Sequence, residues 1–117
     1  MNDEILQEGS HTAEFLLSEG NGEISREEVL IKSGAVYSAG QVLGIVTATG
    51  KYAAYDNSDS TTGLGVAAGV LYAPVDAADA DQKATVIVRL AEVVQSLLVG
   101  LDDAAKADLL LRNIIVR

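Results

Sequence analysis

A chain of 117 residues fits one domain with one modest core. The absence of cysteine excludes disulfides and thiolate metal sites, and one Phe, four Tyr and no Trp leave the core to Val, Ile, Leu and Ala. A net charge of −9 repels phosphate backbones and argues against nucleic acid, and no apolar run approaches the roughly 18–20 residues that cross a bilayer.

Met1 to Ser10 is polar and acidic without periodicity and reads as a mobile tail, with no basic-then-apolar pattern of a signal peptide. A product made in the cytoplasm is therefore expected. Glu14 to Glu19 is a short apolar cluster holding Phe15, Leu16 and Leu17, followed by Gly20-Asn21-Gly22. One reading makes it a first strand or a plug for the core. The other makes it a sticky segment on an arm that orders against a partner. Residues 1–22 are accordingly set apart as an N-terminal arm and 23–117 as a single β-rich domain.

Glu28 to Lys32 predicts a strand with Val29 and Ile31 on one face. Tyr37 to Asp56 then predicts a hairpin. Its first strand, Val42 to Val46, is apolar on both faces, and Gly44 leaves room for another backbone. A Ser-, Thr-, Asp- and Gly-rich loop covers 57–65, Val66 to Tyr72 returns to strand character, and Pro74 with Asp76 to Asp81 reads as a connection. Thr85 to Leu90 predicts another strand, while Glu92 to Val99 stays ambiguous. Leu101 to Arg112 predicts a helix led by Asp102 and Asp103, with acid-first i,i+4 pairs Asp102–Lys106 and Asp108–Arg112. Ala104, Ala107, Leu110 and Leu111 are expected on its buried face. Leu109 points nearly opposite, which makes it a candidate contact between copies of the chain. Ile114 to Val116 closes the chain as a short strand. The fold class expected is mainly β with one C-terminal helix.

Catalytic and metal constellations are hard to assemble from these residues. His11 is the single histidine, in the tail, with no second imidazole or thiolate to share zinc. Asp76, Asp79 and Asp81 fail the calcium-loop pattern, because Asp81 stands where glycine is needed and Ile87 where glutamate is. Gly63, Gly65 and Gly69 miss the dinucleotide spacing. No enzyme activity, cofactor or metal is expected. One rival comes from another class: Ala39 to Leu43 and Asp81 to Ala84 resemble pieces of lipoyl- or biotinyl-carrier domains, which would make Lys83 the modified residue. Some forty residues separate the two pieces, where carriers run nearly directly from one into the other.

In order and spacing the chain resembles the head decoration protein family of lambda-like tailed bacteriophages. The residues that carry the resemblance begin with Val29-Leu30-Ile31, Ser33-Gly34 and Ala39 to Gly44. They continue through Thr47 to Tyr52, Tyr55-Asp56, Ala68 to Leu71 and Val75 to Ala77, and end with the Ala- and Leu-rich helix before Asn113 to Arg117. Some members have Trp-Pro ahead of that helix, where this chain has Val99-Gly100. The resemblance implies a small β-clip-like subunit that forms homotrimers and needs no cofactor. Such trimers sit on the outer surface of the expanded capsid at local three-fold positions. There they clamp the major capsid protein against the pressure of packaged DNA. It also implies that the N-terminal region contacts the capsid, which points to Thr12, Ala13, Glu14, Phe15, Leu16, Leu17 and Ser18. A tail or fibre component is the other structural role considered.

Overall fold

The computed structural model describes residues 16–19 and 25–117. Among them the strands are β1 (Leu16–Glu19), β2 (Arg26–Ile31), β3 (Ala35–Tyr37), β4 (Val42–Ile45) and β5 (Tyr52–Ala54), followed by β6 (Gly69–Leu71), β7 (Val75–Ala77), β8 (Gln82–Ile87), β9 (Ala91–Val93) and β10 (Ile114–Val116). The helix α1 (Asp103–Leu111) precedes β10, and a 3-10 turn covers Gln95–Leu97. The described residues are mostly β, with α1 near the C-terminus.

The expected hairpin forms where the glycines and β-branched residues place it: β4 and β5 pair antiparallel, with Leu43 opposite Ala54 and Ile45 opposite Tyr52. Gly44 is needed for the reason the sequence suggests, since a Cβ there would lie 3.0 Å from the Leu64 backbone. The loop before β6 therefore rests directly on the strand. β5-β4-β6-β8-β2 then closes into a barrel through the antiparallel β2–β8 ladder and a single parallel pair, Ile31 with Tyr52. Outside the barrel, β1-β9-β10 makes a three-stranded sheet and β3-β7 a two-stranded ribbon.

Strand alternation divides the core in two. Ile31, Leu43, Tyr52, Leu71 and Val86, one from each barrel strand, share one cluster. Their neighbours Val42, Val70 and Ile87 point the other way and meet Ala91 and Val93 of β9, Ala105 and Leu109 of α1, and Ile114 of β10. Strands β4, β6 and β8 are thus covered on both sides. That is why the Val42 to Val46 run is apolar at every side-chain position.

The helix corrects two expectations. Its buried side chains are Ala105 and Leu109, both 0 % exposed, whereas Leu110 is 59 % and Leu111 85 % exposed. Leu109 packs inside its own chain and offers no surface to another copy. The expected i,i+4 ion pairs do not form among the described residues, because both acids tie the helix to the barrel instead. Asp102 Oδ1 caps the helix by accepting from Ala105 N (2.8 Å) and also accepts from the Tyr55 hydroxyl (2.9 Å). Asp108 Oδ2 accepts from Ala67 N at 3.0 Å.

Burial, the hydrogen bond to Asp102 and the nearby carboxylates push the Tyr55 hydroxyl up to about 12. The folded state then holds this proton where the unfolded chain, with an ordinary value near 10, gives it up. Its stabilisation is complete below about pH 10 and is lost as pH rises through about 12. Alkaline unfolding followed by circular dichroism is expected to show this dependence, and Tyr55→Phe is expected to flatten it. An unchanged slope in the variant would mean that Tyr55 does not carry the linkage.

Candidate functional site

The sheet β1-β9-β10 is where the expected arm meets the folded domain. β1 runs antiparallel to β9, with Leu16 opposite Val93 and Glu19 opposite Ala91, and a bulge interrupts the register between Leu16 and Ser18. Alternation gives the two leucines different tasks. Leu16 is half-buried against the cluster that contains Val93 and Leu109, while Leu17 is 53 % exposed. Ser18 also lies in β1. Thr12, Ala13, Glu14, Phe15 and His11 lie outside the described residues. Among the described residues β1 lies at a sheet edge, with β9 as its neighbour. An edge strand presents unpaired backbone groups, and an extended segment can add to such an edge.

The other residues weighed from the sequence are spent structurally. Asp81 Oδ1 accepts from Ser33 N at 2.7 Å and Asp81 Oδ2 pairs with Lys51 at 2.6 Å, which holds its carboxyl below the usual range. Asp76 accepts from Ala78 N in a local turn. Lys83 sits within the six-residue strand β8, opposite Leu30 of β2. A carrier lysine belongs at a hairpin tip, and that is not where Lys83 lies. Among the described residues no group of three His, Cys, Asp or Glu side chains is placed to hold a metal.

No helix of the described residues is long and apolar enough to cross a membrane. What the surface does offer is exposed apolar side chains at the sheet and helix: Leu17, Leu110, Leu111 and Ile115. A site made of strand edges and apolar side chains suits protein–protein contact. The family model described as Bacteriophage lambda head decoration protein D matches residues 5–113 of the chain. Among curated proteins, none matches it.

Proposed function

Because the chain belongs to the bacteriophage lambda head decoration protein D family, we propose that it acts as a homotrimer on the outer surface of the expanded phage head. Family membership makes it a structural component of the virion that decorates the head. In the fuller reading, trimers sit at local three-fold positions and bind the major capsid protein. They hold the shell against the pressure of its DNA. The N-terminal segment, with Thr12 to Ser18 at its core, supplies the capsid contact.

The observation that carries this reading is the extent of the match. It begins at residue 5, before β1, and runs through the barrel and the helix to residue 113, so the segment ahead of β1 belongs to the family pattern along with the domain. Three arms on one trimer would act together, since each bound arm raises the effective concentration of the next. A ligand that binds only the expanded shell stabilises that form, by about 2.7 kcal/mol per site at a free concentration a hundredfold above its Kd.

Light scattering is expected to give a trimer mass at micromolar concentration. Expanded empty heads should bind the protein to saturation and then disrupt at a higher temperature than bare ones, while unexpanded shells bind it weakly. Equal binding to both shell forms would sink the claim that expansion creates the site. A tail or fibre role predicts no head binding at all, and a carrier role predicts a mass increase at Lys83 on co-expression with a ligase.

A further inference from the structure

Among the described residues, the sheet that carries β1 has a second open edge. Among those residues β10 pairs only with β9, in parallel, with Ile114 opposite Ala91 and Val116 opposite Val93. The bonds on that side use Asn113 O, which accepts from Ala91 N at 3.2 Å, and Arg117 N, which donates to Val93 O at 2.9 Å. In a parallel ladder alternate residues face the same neighbour. Asn113, Ile115 and Arg117 therefore face β9, and the N–H and C=O groups of Ile114 and Val116 point away from it.

Beside this edge lies an apolar groove of about 270 Å³ lined by Lys106, Ala107, Leu110, Ile115 and Val116. Leu110 and Ile115 are 59 % and 40 % exposed. Lys106 is the one charged side chain that lines the groove, in a chain with 17 acids against 8 bases. Free strand backbone, an adjacent pocket for one side chain and a cation at the rim are the elements of strand-addition recognition.

We infer that the β10 edge and its groove receive an extended segment of the capsid shell, with an apolar side chain seated between Leu110 and Ile115 and a carboxylate beside Lys106. This rests on the decoration role proposed above and adds a second attachment to it. The occupant is the shell because β10 shares one three-stranded sheet with β1, the strand through which the capsid-contacting arm enters. Leu16, Val93 and Val116 stand in register across it. At the usual strand spacing of about 4.8 Å, the two edges lie roughly 10 Å apart. A shell bound to the segment ahead of Leu16 is thus already beside the groove. The lone lysine at its rim also selects a partner segment bearing a carboxylate.

The test uses full-length protein and expanded empty heads from phage lacking it. Leu110→Lys places a second cation in the groove from an exposed helix position, so the fold should hold; Val116→Pro removes an outward N–H without changing charge. Both variants are expected to keep the trimer mass and to bind heads at least about tenfold more weakly, as loss of a central contact would do. Leu111→Lys, on the exposed helix but outside the groove, should bind as the parent does. Should Leu110→Lys bind heads as tightly as the parent, the inference fails while the decoration role stands. Loss of the trimer by Leu110→Lys would assign the groove to a second copy and overturn the inference. Parent protein that does not bind heads would overturn both readings.

Discussion

A chain that begins at Leu16 is expected to fold and to self-associate as the full-length protein does, yet to leave expanded heads bare. The reasoning follows from where β1 divides the N-terminal segment. β1 (Leu16–Glu19) pairs with β9 and contributes Leu16 to the core, while among the described residues the barrel strands pair with one another. The arm is proposed to bind by ordering along a partner, and its removal would take away that contact at three places on the proposed trimer. Avidity then collapses rather than declines, with an expected loss on the order of 10²-fold or more. A shorter chain beginning at Gly20 removes β1 as well. It leaves β9 with one neighbour and exposes the surface that Leu16 covered, so its melting temperature is expected to fall where that of the longer truncation does not. Circular dichroism and sedimentation with heads, run on both truncations, separate a binding segment from a folding one. Undiminished decoration by the chain starting at Leu16 would remove the arm from the mechanism.

The helix supplies the second large effect. Leu109→Ala is expected to destabilise the fold by about 2–5 kcal/mol, because a fully enclosed leucine leaves both a transfer loss and a cavity. The neighbouring Leu111→Ala, at an 85 % exposed position, is expected to stay within about 0.5 kcal/mol of the parent. Urea denaturation of the two variants checks this. Similar midpoints for both would mean that the helix does not dock through the Ala105–Leu109 stripe.

These two residues also show what the sequence discloses and what it hides. The hairpin was legible because glycines and β-branched residues punctuate Val42 to Tyr55, and β10 because Ile114 to Val116 follows a helix stop. The helix itself was legible from Asp102. Its buried face was not, since Leu109, Leu110 and Leu111 are consecutive and sweep about 200° of the helix. With alanines between the charges, no single stripe stands out. The two-stranded ribbon was hidden for another reason. β7 begins directly after Pro74 and contains Asp76, so three residues of strand looked like an acidic connection. Barrel closure was invisible because pairing between distant strands leaves no local periodicity. For the site, residues 14–19 marked themselves as an apolar cluster beside a polar tail. The opposite roles of Leu16 and Leu17 needed β9 as a reference, and the β10 groove needed the helix to be placed.

The β2–β8 ladder has a consequence for how the subunit comes into being. Arg26 pairs with Ile87 and Ile31 with Gln82, so the barrel cannot shut until most of the chain has been synthesised. The β4–β5 hairpin, by contrast, joins residues only a few positions apart and can form early. Chains dominated by such distant pairings pay loop-closure entropy before any contact rewards it, and fold in roughly milliseconds to seconds. During that interval β4 and β6 expose their apolar faces, and β10, made after the helix, has yet to dock beside β9. A ribosome that pauses within the helix would therefore hold a chain whose outer sheet still lacks β10. Time-resolved refolding should show hairpin signals preceding protection of the β2–β8 amides.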